Sequence, residues 1–216
     1  MFSKLCATAI AVVCFVSFSS AQFEGKMTMK MEAAELPAEY QSMKSMFEST
    51  MTIYAKGKKS RLEATTAMTG TTITINDGDK GESVTCVDMM GQKMATKVAY
   101  DDSKQTPEDI NAKFQKQEGT KVVAGYTCKK GLYISEANGM KQEMEVWYTE
   151  EIPNSKADMR EIPGMVMDMT LTMQGIKLHT YVTEVKKEKV AAKLFEMPEG
   201  YRVVTQEEMA KTLMGQ

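Results

Sequence analysis

His179 is the one histidine in 216 residues, which excludes chemistry that needs two imidazoles. In Lys177-Leu178-His179-Thr180-Tyr181 it falls on the face opposite Leu178, so it reads as a surface strand residue and not a catalytic base. The carboxylate pairs Asp101-Asp102 and Glu150-Glu151 fall at turns, where solvated charge is the simpler reading. No glycine run has the spacing of a phosphate-cradling loop. These residues point to a non-enzyme with no cofactor.

Methionine is the outlier, at 21 residues. Met27, Met29 and Met31 alternate with Thr28 and Lys30, and Met165, Met167, Met169, Leu171 and Met173 alternate with Val166, Asp168, Thr170 and Thr172. Two chemistries compete for such stripes. Thioethers are soft ligands that select Cu(I). Unbranched, polarizable side chains also fill broad or changing apolar interiors. Copper sites tend to recruit histidine, and His179 is read as far from either stripe in sequence, so apolar lining is the preferred reading and no metal ligand is assigned.

Both stripes need strands to present them. Residues 23–32 and 165–173 follow a period of two with one polar face, the mark of a half-solvated strand. Further strands are expected at 50–56, 59–66, 71–77, 82–88, 92–100, 120–126, 128–135, 140–149 and 176–186. Turn signals separate them: Lys56-Gly57-Lys58, Asn76-Asp77-Gly78, Met90-Gly91, Gly131 and Asn138-Gly139. Most links are too short for parallel crossovers, so the sheet should be antiparallel. Helices are expected at 37–48, at 106–114 with Thr106 as cap, near 189–195 and at 207–213. The fold class is mainly β (α+β): a strongly curved antiparallel half-barrel of about eleven strands, with a few short helices covering its concave face. Trp147 and Tyr148 point to opposite faces of their strand, so one of them must leave the apolar side.

The interior of such a sheet would be lined by Met27, Met29, Met31, Met51, Ile53 and Leu62 from its first strands. Ile73, Ile75 and Met94 follow. Met144, Val146, Met165, Met167, Met169 and Leu171 complete the lining.

The chain opens Met-Phe-Ser-Lys, runs apolar from Leu5 to Phe18 and exits through Ser19-Ser20-Ala21. That is the pattern of a secretory leader, giving 1–21 as signal peptide and 22–216 as one domain. No later segment is apolar enough to be a transmembrane helix. The expected compartment is the periplasm, as a soluble protein, if the source is Gram-negative. Cys86 and Cys128 are the two cysteines after the leader, and an exported chain can oxidise them. A bridge would contribute roughly 4 kcal/mol by loop closure. The alternative is two buried thiols on separate strands. Lys plus Arg is 27 against 29 Asp plus Glu, a net charge of −2, which argues against a nucleic-acid partner.

Four short segments resemble a known family. They are Gly57-Lys58-Lys59-Ser60-Arg61-Leu62-Glu63, Val123-Ala124-Gly125-Tyr126-Thr127-Cys128-Lys129-Lys130, Glu145-Val146-Trp147-Tyr148-Thr149 and Phe195-Glu196-Met197-Pro198-Glu199-Gly200-Tyr201. They are similar to motifs of the exported DUF4412 family, grouped with the LolA-like periplasmic lipoprotein-carrier fold. Gly131 stands where that family more often has an aromatic residue. The resemblance implies a half-barrel closed by helices around an apolar cavity suited to acyl chains, and it carries over no functional residue. The function expected is therefore non-catalytic binding or carriage of a lipid or acyl-chain ligand. A transient envelope-protein partner would fit such a carrier, and no motif identifies one. The rival functions are Cu(I) binding by the Met stripes and a structural or interaction role with a filled core.

Overall fold

The computed structural model describes residues 23–66, 70–89, 91–99, 113–137, 140–152, 162–173 and 175–213. The leader, residues 1–21, and most of the helix expected at 106–114 lie outside them. Lys113 and Phe114, assigned to that helix, instead open a strand.

The strands are β1 (Glu24–Glu35), β2 (Ser49–Lys56), β3 (Lys59–Thr66), β4 (Gly70–Asp77), β5 (Glu82–Met89) and β6 (Gln92–Ala99). They continue as β7 (Lys113–Val123), β8 (Tyr126–Ala137), β9 (Met140–Thr149), β10 (Met165–Met173), β11 (Ile176–Lys187) and the short β12 (Arg202–Val203). All twelve join one sheet in the order β12-β6-β5-β4-β3-β2-β1-β11-β10-β9-β8-β7. The sheet is curved and open, not a closed barrel. Two meanders, β1–β6 and β7–β11, meet where β1 pairs antiparallel with β11. Each of the eleven strands expected from sequence has a counterpart, but Gly131, read as a turn signal, lies inside β8, and the strand read at 120–126 ends at Val123 before a turn at 124–125. The twelfth, β12, has only two residues and pairs parallel to β6.

Curvature is visible in contacts that skip strands. Lys121 on β7 reaches Asp168 on β10 at 2.8 Å. Lys187 on β11 lies 5.6 Å from the ring centroid of Tyr126 on β8. Each pair is three strand spacings apart, about 14 Å in a flat sheet. The sheet therefore rolls toward the face that carries Lys121 and Asp168.

The chain after β11 runs back across the β1–β6 meander as a strap. Its anchor is ionic and local. Lys56 Nζ donates to the Val190 carbonyl at 2.9 Å, the Val190 N–H donates to Glu24 Oε1 at 2.9 Å, and Lys56 pairs with Glu24 at 3.0 Å. The Val190 N–H and then Lys56 hold the Glu24 carboxyl below its usual range. Glu24 thus serves as a strap anchor. Arg61, 8% exposed, donates to the Leu194 carbonyl at 3.0 Å and to Glu63 at 2.6 Å. Between these anchors a 3-10 turn, Ala192–Phe195, buries Phe195. Val190 and Phe195 pack with Ile73, Ile75, Val84, Cys86 and Ala95.

The strap ends in β12 and then α1 (Gln206–Leu213), whose Met209 packs with Val87, Met94 and Val204. Thus the 189–195 and 207–213 expectations hold. The 37–48 segment is a 3-10 helix, Ala38–Phe47, and its described side chains are mostly exposed, with Tyr40 at 37%. Among the described residues the sheet is covered by the strap and by the helix that follows it.

Phe195 is the strap's buried aromatic anchor. Phe195→Ala should lower unfolding stability by about 3 kcal/mol in denaturant melts, within the range for a buried aromatic truncation. A loss below about 0.5 kcal/mol, the scale of a surface substitution, would show that the strap does not depend on it.

Candidate functional site

The Met stripes meet at the junction of the meanders. Met27 and Met29 from β1, Ile53 from β2, Met165 and Met167 from β10 and Val182 from β11 form one buried cluster with Val123, Cys128 and Ile152. Met27, Met29, Met165 and Met167 are each 3% exposed or less. Met51 and Leu62 are partly buried against this group. Ladder pairing explains the assembly: Met27 is opposite Ile53, and Met29 is opposite Met51 on one side and Val182 on the other.

The second stripe does not stay on one face. A register irregularity between Val166 and Asp168 in the β10–β9 ladder breaks the alternation there. Met165 and Met167 therefore join the Met27 group. Met169 and Leu171 instead pack against Tyr133, Met144, Val146, Tyr148, Ile162 and Val166. Ile73 and Ile75 lie under the strap, and Met94 lies under α1. Met31 is half-buried and borders a cleft of about 530 Å³ with Lys30, Glu32, Glu48, Ser49, Thr50 and Thr65. So the residues expected to line one interior are distributed over four packed groups and one polar cleft.

A polar band that sequence spacing did not reveal borders the Met27 group, with Trp147 packed against it and Lys121 paired across from Cys128. Cross-strand pairing carries it from Lys130 to Trp147, Asp168, Tyr181 and Lys30, with His179 opposite Glu32. Lys121 Nζ lies 4.5 Å above the Trp147 ring, and Lys130 Nζ is 5.6 Å from it. The Trp147 indole N–H donates to Glu145 at 3.2 Å, and Lys130 pairs with Glu145 at 2.8 Å. The hydrogen bond from Lys130 holds the Glu145 carboxyl down despite partial burial, with the Trp147 bond adding to it. Tyr148 is 1% exposed on the other face, as the alternation of Trp147 and Tyr148 required.

His179, read from sequence as a surface strand residue, is half-buried and has partners on both neighbouring strands. Its Nε2 lies 3.2 Å from Asp168 Oδ2, its Nδ1 lies 3.6 Å from Glu32, and its ring stacks on Tyr181. The two carboxylates sit at opposite ring nitrogens, so they do not converge on one point as metal ligands must. Among the described residues no group of three His, Cys, Asp or Glu side chains is placed to hold a metal ion.

The expected Cys86–Cys128 bridge is not formed. Both are free, buried thiols, Cys86 under the strap and Cys128 in the Met27 group. The reason is topological: β5 and β8 are separated by seven strands in the sheet order. Burial pushes both thiols up from their ordinary range, which keeps them protonated and unreactive. Cys128 instead donates to the Tyr126 carbonyl at 3.5 Å.

No family model matches the chain, so the likeness to DUF4412 rests on its short motifs alone. No curated protein matches its sequence. Among solved structures, PNGF-II is similar at a TM-score of 0.53 and 14% identity, over 89% of this chain and 33% of that one. The chain thus spans about a third of PNGF-II, and the likeness is one of fold. The lipoprotein LppX of Mycobacterium tuberculosis (TM-score 0.40, 10% identity, 78% of this chain and 89% of that one) is similar more loosely. So is LprF of Mycobacterium bovis (0.37, 8%, 78% and 88%). At those scores neither likeness carries an argument about function. Among the described residues no helix is long and apolar enough to cross a membrane.

Thiol titration tests the cysteine assignment. The denatured, unreduced protein should show both Cys86 and Cys128 as free thiols, and neither should react while the protein is folded. An intact mass lower by about 2 Da than the dithiol form, with no thiol titrating, would restore the bridge.

Proposed function

We propose that the protein, exported as a single domain after loss of its leader, binds or carries a lipid or lipid-linked ligand without catalysis. The observation that carries this reading is the gathering of Met27, Met29, Met165 and Met167 in one group where the two meanders join. Four flexible thioether side chains in one place form a core that repacks around an inserted chain more readily than branched residues do. Each methylene buried there would contribute roughly 0.8 kcal/mol. The open sheet leaves the ligand a route that a closed barrel would deny. The bordering polar groups, Lys121 to Glu32, give such a site an amphipathic border.

Cu(I) buffering is the second reading, favoured by the presence of Cys128 in the same group. It ranks lower because burial keeps that thiol protonated, and the thiolate is the metal-binding form.

Narrowing the Met group separates carriage from an ordinary filled core. Met167 is fully buried, and Met167→Trp adds bulk without charge. In a repackable site the variant should lose binding of a fluorescent fatty-acid probe while its thermal midpoint moves little. In a rigid core the same change costs roughly 1–3 kcal/mol. That destabilisation, from a parent that binds no probe, would contradict the reading.

A further inference from the structure

One carboxylate oxygen in the polar band serves two partners. Asp168, 8% exposed, presents Oδ2 to Lys121 Nζ at 2.8 Å and to His179 Nε2 at 3.2 Å. The partners are held very differently. His179 belongs to β11, next to β10 in the ladder, and its ring is stacked on Tyr181 at 4.7 Å. Lys121 belongs to the edge strand β7, reaches across β8 and β9, and is 34% exposed. Its strand is interrupted by a register irregularity between Lys116 and Thr120.

Among the described residues, Glu32 on β1 and Asp168 on β10 are the charged groups beside His179; Lys121 on β7 lies beyond Asp168, and Lys30 on β1 and Lys177 on β11 are two positions along from Glu32 and His179. Lys177 is engaged by Glu35. A neutral imidazole has one N–H. With that N–H on Nε2 toward Asp168, the Nδ1 lone pair faces the Glu32 carboxylate 3.6 Å away. Protonation gives Nδ1 a hydrogen to donate to Glu32 and makes the ring a second cation at Asp168 Oδ2. The ammonium and the imidazolium then repel each other across one shared oxygen. The imidazolium is pinned on both sides by carboxylates, whereas the lysine can return its ammonium to water.

We infer that His179 is a proton-operated release for the Lys121–Asp168 clasp, so that acidification loosens the β7 edge from the curled sheet and uncovers Trp147. The device goes beyond ligand carriage, and its test needs no ligand. His179 is the only histidine and Trp147 the only tryptophan in the chain, so sensor and reporter are each unique. Histidine is the side chain that ordinarily changes charge between about pH 5 and 8.

The experiment is acrylamide quenching of Trp147 in the full mature chain, titrated across that range, with far-UV dichroism as the check that the sheet persists. Quenching should rise with acid along a single-proton curve. It should stay low and flat in His179→Gln, and should already be high and flat in Lys121→Met. Glu32→Gln, which removes one anion beside the ring, should move the midpoint to lower pH; it also keeps the test open if His179→Gln does not fold. The inference is overturned if wild-type quenching does not change or falls with acid, if the transition survives in His179→Gln, or if Glu32→Gln leaves the midpoint where it was.

Discussion

The pairing of β1 with β11 is the constraint on which the rest of the structure depends. Within each meander consecutive strands pair antiparallel with their neighbours. Among the described residues only the β1–β11 ladder, from Gly25↔Lys187 to Glu35↔Lys177, makes them one sheet. That ladder brings Met29 beside Val182 and sets Glu32 opposite His179, so the apolar group and the polar band both originate there. It also fixes where β11 ends. The following chain is thereby launched from beside Glu24, whose carboxylate anchors Val190 as the strap begins.

Curvature then distributes the burial. A twelve-strand sheet is wider than open twisted sheets usually remain without rolling or splitting. Here β7–β10 roll until Lys121 meets Asp168, while β3–β6 are covered by the strap and α1. Different stretches of the sheet are covered by different elements, and the core forms as four groups. Methionine suits that arrangement, because an unbranched side chain fits gaps whose shape changes along a rolled surface.

Strands were legible in the sequence wherever alternation and a turn residue coincided. Gly57 between β2 and β3 is an example, since its φ of 62° is one that a glycine adopts without strain. What alternation could not show is any feature set by non-local pairing. β12 is two residues long and exists only because the strap delivers it to β6. The break at Met167 is a property of the β10–β9 ladder, and it redirects Met169 and Leu171 away from Met165. The partners of His179 were not legible because Asp168 and Glu32 reach it through two ladders and not through sequence neighbours. Even cysteine number suggested a bridge, but the sheet order places Cys86 and Cys128 in separate groups.

Carriage of a lipid by the Met group is the central claim, and native mass spectrometry of the protein purified gently from its own cell envelope tests it most directly. The claim predicts a polypeptide accompanied by one or more non-covalent species of lipid mass, released on stronger activation. A bare polypeptide under every gentle condition, including after incubation with envelope lipid extract, would contradict it and leave the Met group as ordinary core.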